Sequence, residues 1–275
     1  MEVPGFIDTA HLYAPLHREL VSLLEGLSPD DWHKPTVCRG WAVRDIAAHL
    51  LDVDIRRLSF SRDLVDVPAP DPPISSYSDL VAFLNRLNAD WLRAARRFSP
   101  RVLVDLLRLT GPQVAQYVTT LDMMETARFS VAWAGEDVSA NWFDVARDYT
   151  ERWHHQQQIR DAVGAPPITS AKWLAPVLDA FMRALPYAYR GVQANDGDAI
   201  TVTIDGEAGG VWTLLRSSGN WQLLKGQAEN AAARITLDQD TAWRHLTKGL
   251  TNGPIQVEGN ANFAEAFRHC LAVMA

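Results

Sequence analysis

At 275 residues the chain has room for one large or two modest domains, and a hydrophobic content of 47% suffices for a packed core. A net charge of −7 with no long basic run excludes nucleic acid as an expected partner. No stretch reaches the ~18 consecutive apolar residues of a membrane span, and Met1–Asp8 lacks the basic and apolar regions of a signal peptide. Cys38 and Cys270 are too few for a disulfide framework or a cysteine-rich zinc site. A reducing, cytoplasmic setting is expected, and any metal must rely on histidine and carboxylate ligands.

In chain order, the apolar periodicity predicts a first helix over 9–27, with Leu12, Leu16, Leu20 and Leu24 on one stripe. His11 and His17, six residues apart, share no face and read as surface or hydrogen-bonded residues. Ser28–Trp32 reads as a cap and a short helical turn. The loop from Lys34 to Gly40 leads into a second helix over 43–62. Its core face carries Val43, Ile46, Ala47 and Leu50, beside a polar stripe of Asp45, His49, Asp52 and Arg56. The prolines at 68, 70, 72 and 73 mark a connection. A third helix, 77–98, should turn Leu80, Phe83, Leu84, Leu87 and Trp91 inward, and its basic end suits a helix C-terminus. Residues 101–131 read as helical but broken at Gly111-Pro112, with Pro112 at a new helix start. Trp133–Ser139 reads as a turn, with Ser139 capping a helix that runs to Val163 and ends at Gly164 and Pro166-Pro167.

The pattern then changes, which places a boundary near 165–170 and divides the chain into 1–168 and 169–275. A helix over 173–189 precedes strands at 199–204, 210–216 and 221–224, the last two joined by a hairpin turn at Ser217–Asn220. A fourth strand, 234–237, leads to Asp238, which caps a helix reaching Leu246. A short strand at 255–257 and a last helix over 260–273 complete an α+β chain, helices first and strands second.

Glu151 and His155 lie four residues apart within Glu-Arg-Trp-His-His-Gln-Gln-Gln-Ile-Arg, so a helix stacks them on one face. That pair alone fits either a solvated ion pair or two ligands of one divalent ion. Far upstream, Pro35-Thr36-Val37-Cys38-Arg39-Gly40-Trp41-Ala42-Val43-Arg44-Asp45-Ile46-Ala47-Ala48-His49-Leu50 offers a third histidine. Together the two segments resemble motifs of the DinB-like superfamily and, more closely, its mycothiol-dependent maleylpyruvate isomerase branch. The resemblance implies a DinB-like four-helix bundle followed by a smaller sterol-carrier-protein-like α/β domain. It also implies a metal, zinc in that branch, held by His49, Glu151 and His155, with Asp45 or Asp52 orienting the His49 ring. His154, about 100° around the helix from His155, should not be a ligand. Gln158 stands where the family usually carries an acidic residue, which changes the polarity around the site. The branch also draws an arginine from its second domain, for which Arg216, Arg234 and Arg244 are eligible.

Two imidazoles and one carboxylate leave a divalent ion with an open position, and a thiol bound there loses its proton. The thiolate then serves cis–trans isomerisation, by addition to and elimination from a conjugated double bond, or S-transfer to a small electrophile. Cys38, with no identified base beside it, reads as structural. Arg160 is a candidate anion contact, with a helix-end role as the alternative. A metal-dependent hydrolase with metal-bound water, and a non-catalytic small-ligand-binding protein with a structural metal, stay open beside the thiol-dependent enzyme. The expected partners are a small-molecule substrate and a low-molecular-weight thiol, without nucleic acid or membrane, in a monomer or homodimer.

Overall fold

The computed structural model describes residues 1–67, 69–248 and 253–270. The described residues divide into two compact units, one of Thr9–Arg128 with Glu151–Pro167, the other of Met1–Asp8 and Phe129–Thr150 with the described residues from Ile168 to Cys270. One border, Pro167/Ile168, lies beside the boundary drawn at 168 from sequence. Among the described residues no helix is long and apolar enough to cross a membrane.

The first unit is helical. A 3-10 turn at Ala10–Leu12 opens α1, Tyr13–Glu25, and α2 spans Val43–Arg56 before continuing as a π-helical segment, Arg57–Arg62. α3 is Tyr77–Ala95, α4 is Pro100–Val118, and α5, Asn141–Val163, contributes its C-terminal half from Glu151. The starts of α3 and α4 follow local chemistry. Ser76 accepts from the Asp79 N–H and Ser99 from the Val102 N–H, while Pro100 takes a first-turn position whose N–H has no helical partner. One apolar core joins the helices, with Leu24 of α1, Ile46 and Leu50 of α2, Leu92 of α3, Leu107 of α4 and Ile159 of α5. Each such buried aliphatic side chain stabilises the fold by roughly 1.5–3 kcal/mol relative to exposure.

Several expectations need correction. α4 runs unbroken through Gly111-Pro112 and ends at Val118, so 119–131 is not helical. Pro112 removes one helical hydrogen bond, but Val114, Ala115 and Val118 beyond it are buried, and that packing outweighs the local penalty. Gly111 has its own reason, because a Cβ there would lie 2.0 Å from the His17 ring. Leu87 of α3 is exposed rather than inward, and the helix docks through its last two turns, where Trp91 Nε1 donates to the Ala48 carbonyl at 2.7 Å. α5 starts at Asn141, because the Ser139 hydroxyl is used elsewhere, accepting from the Val131 N–H and donating to Glu136.

The second unit is built on a five-stranded sheet. α6, Ala171–Met182, and a single turn α7, Leu185–Ala188, replace the one helix expected over 173–189, and Pro186 sits at the break. The strands are β1 Ala199–Asp205, β2 Gly210–Ser217, β3 Asn220–Lys225, β4 Ala233–Asp238 and β5 Gln256–Gly259, in the order β3-β2-β1-β4-β5. Among the described residues only β1 and β4 pair in parallel. The β2–β3 turn has positive φ at both Ser218 and Gly219, the backbone that a two-residue hairpin matched to strand twist requires. α8, Gln239–Leu246, is capped by Asp238, which accepts from the N–H groups of Asp240 and Thr241. α9 spans Ala261–Arg268, and the part of the expected last helix beyond residue 270 lies outside the described residues. The N-terminal residues belong to this unit too, since Glu2 exchanges two backbone hydrogen bonds with Lys225 on the edge strand. The fold class is α+β, as the order of helices and strands predicts.

Candidate metal centre

Three pieces of the helical unit meet here: α2, the loop leading into it, and the C-terminal half of α5. That half of α5 is unusual physically. Apart from Trp153 and Ile159 its buried residues are polar: His154, His155, Gln156, Gln157, Gln158 and Arg160 are all buried. A buried polar side chain left without a partner costs roughly 1–3 kcal/mol, so a polar helix is buried only where its groups are bonded or have work to do. Gln157 donates to Asp161 at 3.0 Å, and Arg160 donates to the Pro166 carbonyl at 2.8 Å and to Glu19 at 3.2 Å. Arg160 therefore ties the end of α5 to α1 and the following loop.

The remaining polar groups converge. His49 Nε2 lies 3.0 Å from Glu151 Oε1, and His155 Nε2 lies 3.2 Å from the same oxygen. The three side chains offer one ligand atom each within 4.8 Å of one another. His154 is not part of this group, although its ring centre is 4.1 Å from that of His155. Both ligand-type histidines are sealed, with side-chain exposures of 5% and 4%, whereas Glu151 is 26% exposed, so the trio is reached from the carboxylate side.

Electrostatics polarise the trio. Burial drives the His49 imidazole down to about 4 against the opposing pull of Glu151, so it is neutral at pH 7. Burial also works to lower His155, but the Glu151 charge, the neighbouring Cys38 and the hydrogen bond to Glu151 outweigh it and hold that imidazole up at about 10. Burial would raise Glu151, yet the His155 charge and hydrogen bonds from both histidines keep it well below the usual carboxylate range. Without a metal the group is thus a buried Glu151–His155 ion pair beside a neutral His49.

The surrounding shell differs from expectation at His49. Asp45 accepts from the Ala42 N–H at 3.0 Å and pairs with Arg96, while Asp52 pairs with Arg56 at 3.0 Å, so neither orients the ring. Both carboxylates are taken by nearer donors, and His49 Nδ1 is buried with no hydrogen-bond partner among the described residues. At His155 the structure gives roles to Gln158, expected only to alter the polarity of the site, to Cys38, expected to be structural, and to Trp41, which had no expected role. Gln158 Oε1 lies 2.8 Å from His155 Nδ1, and the Cys38 thiol donates to the same oxygen at 3.3 Å. Trp41 packs its ring 5.2 Å from His49 and stacks 6.3 Å from His155. Cys38 and Trp41 are presented by a tight loop closed by the Pro35–Ala42 bridge, with Gly40 at φ +81° between them. The available signal for Gln158 was its place three residues beyond His155 on the same helical stripe.

Residues 13–160, just over half of the chain, match the family model described as the mycothiol maleylpyruvate isomerase N-terminal domain. The chain belongs to this family. Among solved structures it is similar to the mycothiol-dependent maleylpyruvate isomerase, with a TM-score of 0.55 at 10% identity over 94% of this chain and 96% of that one. A mutant of that enzyme carrying a histidine-to-alanine change gives a TM-score of 0.53, again at 10% identity, over 90% and 91% of the two chains. At that identity the likeness speaks for the fold. No curated protein sequence matches the chain. The family model ends at residue 160, so it spans the positions of His49, Glu151 and His155 and excludes the sheet. In the sheet unit the three eligible arginines are engaged locally. Arg216 lies over Trp221, Arg234 donates to the carbonyls of Ala228 and Glu229, and Arg244 pairs with Asp240.

Proposed function

We propose that this chain is an enzyme that holds a divalent metal, zinc in the first instance, through His49, Glu151 and His155, and uses a low-molecular-weight thiol of the mycothiol class. The reaction would be cis–trans isomerisation of a small conjugated acid, in keeping with the likeness to a mycothiol-dependent maleylpyruvate isomerase, or S-transfer to a small electrophile. One observation carries the reading: two buried imidazole Nε2 atoms converge on one carboxylate oxygen. Two nitrogens and one oxygen form the donor set of a catalytic zinc site with a position left for a further ligand. A divalent ion bound there supplies a Lewis acid at which a thiol ionises at neutral pH.

The chain's own residues do the rest. His49 arrives neutral and ready to ligate, because burial removes its proton well below pH 7. Glu151 cancels one unit of metal charge and, being partly exposed, leaves the substrate side open. Trp41 covers the imidazole faces and keeps water from them. The test is turnover of maleylpyruvate by purified protein with and without added thiol. The reading expects conversion that requires both thiol and metal. Conversion that ignores thiol would favour the hydrolase or another class.

A further inference from the structure

We propose that Gln158 and Cys38 act together to fix the ligand form of His155. The Gln158 carboxamide oxygen holds the imidazole at Nδ1–H, leaving Nε2 for the metal, and the Cys38 thiol keeps the carboxamide facing the right way. This rests on the metal reading above and extends it to residues outside the ligand set.

An amide has two chemically different sides. Its oxygen accepts and its NH2 donates. Gln158 is buried one helical turn after His155 and meets His155 Nδ1 at 2.8 Å. With the oxygen facing the ring, Nδ1 carries the proton. With the NH2 facing the ring, Nδ1 would have to accept, and the proton of the neutral imidazole would sit on Nε2, the atom that meets Glu151. That second form cannot ligate a metal through Nε2. A carboxylate at this position has no wrong side, but an amide needs something else to set its direction. The Cys38 Sγ lies 3.3 Å from the same Gln158 oxygen, and a thiol is foremost a donor there. Two donors on one oxygen, N–H and S–H, use its two lone pairs and exclude the reversed amide. The loop positions the thiol for this: Trp41 N–H donates to the Cys38 carbonyl at 2.9 Å, and Thr36 is bonded twice to the Trp41 carbonyl. Cys38 thereby serves as a hydrogen-bond donor rather than as a nucleophile, and Gln158 is a positioning residue. A neutral amide also leaves the imidazole less basic than a carboxylate partner does, so this chain gives up metal affinity at residue 158.

The test measures zinc affinity by chelator competition in wild type and four variants. Gln158→Leu, which keeps bulk and removes the acceptor, should weaken binding about 10–100-fold, the usual effect of losing such a partner. Gln158→Glu should bind as tightly as wild type or more tightly. Cys38→Ser retains a donor and should stay within about threefold, whereas Cys38→Ala should lose about fivefold or more. Equal affinity in Gln158→Leu and wild type, or equal weakening in the Leu and Glu variants, overturns the proposal. Should Gln158→Leu fail to fold, the cysteine pair decides, and equal effects of Ser and Ala overturn it. A readout without metal accompanies these. The His155 Nδ1–H proton, followed by long-range proton–nitrogen NMR, should exchange slowly in wild type and Cys38→Ser and rapidly in Gln158→Leu. Wild type that binds no zinc removes the metal reading and this proposal with it. Wild type that binds zinc alongside an unaffected Gln158→Leu removes this proposal alone.

Discussion

Replacing His155 by alanine is expected to lower bound zinc from about one ion per chain to roughly a tenth or less, while His154→Ala leaves it near one. The contrast is sharp because the two histidines are neighbours in sequence and both buried, yet only His155 joins His49 and Glu151 in the convergent group. The same residue sets a pH dependence whose sign can be worked out. His155 is held up at about 10 and so is charged at neutral pH, and a metal must displace that proton. Affinity should therefore rise with pH, about tenfold per pH unit, and level off near pH 10. His49, at about 4, is already neutral and steepens the curve only in acid. The metal-free pair follows the same logic in stability. The His155 contribution is complete below the ordinary histidine value and fades as pH rises through about 10, while the Glu151 contribution is lost in acid as that carboxylate protonates. Metal affinity that is flat between about pH 6 and about pH 9 would contradict this account of the trio.

Asp54→Ala should destabilise the helical unit by about 3–5 kcal/mol, the range for breaking a buried ion pair from one side. Asp54 of α2 is fully buried, accepts from the Thr110 hydroxyl at 2.6 Å and pairs with Arg152 of α5. Removing the carboxylate leaves a guanidinium in the interior next to the Tyr13 ring, over which it sits at 5.4 Å. The position ties stability to the site. Asp54 is five residues beyond His49 on α2, and Arg152 adjoins Glu151 on α5, so one ion pair sets the register of the two helices that bring His49 to Glu151. Zinc affinity should fall together with stability. Denaturant unfolding measures the stability change, and a loss below about 1 kcal/mol, the scale of an exposed pair, would show that the bridge is not a buried anchor.

Much of this architecture is legible in the sequence because it follows from periodicities. Alternation from Ala199 gives β1, the turn residues Ser217–Asn220 give the β2–β3 hairpin, and Asp238 announces α8. The i, i+4 spacing of Glu151 and His155 puts both on one face, and the family resemblance supplies His49, which the structure brings to 3.0 Å from Glu151. What is not legible depends on tertiary competition. Whether Gly111-Pro112 breaks a helix is decided by His17 packing on the glycine and by the buried residues beyond it. Whether Asp45 or Asp52 orients His49 is decided by Ala42, Arg96 and Arg56, which claim those carboxylates first. Gln158 and Cys38 are 120 residues apart, and nothing in either local pattern shows that the thiol reaches the Gln158 oxygen. The pairing of Glu2 with Lys225 spans almost the whole described chain and has no local signal.

The most direct test of a metal centre that works with a thiol is the visible spectrum of cobalt-substituted protein during titration with a small thiol. The account predicts a new sulfur-to-metal charge-transfer band and release of about one proton per site at neutral pH, because a free thiol has a pKa near ~8.5 and ionises on coordination. A cobalt spectrum unchanged up to millimolar thiol would contradict the thiol-dependent function while leaving His49, Glu151 and His155 as a metal site.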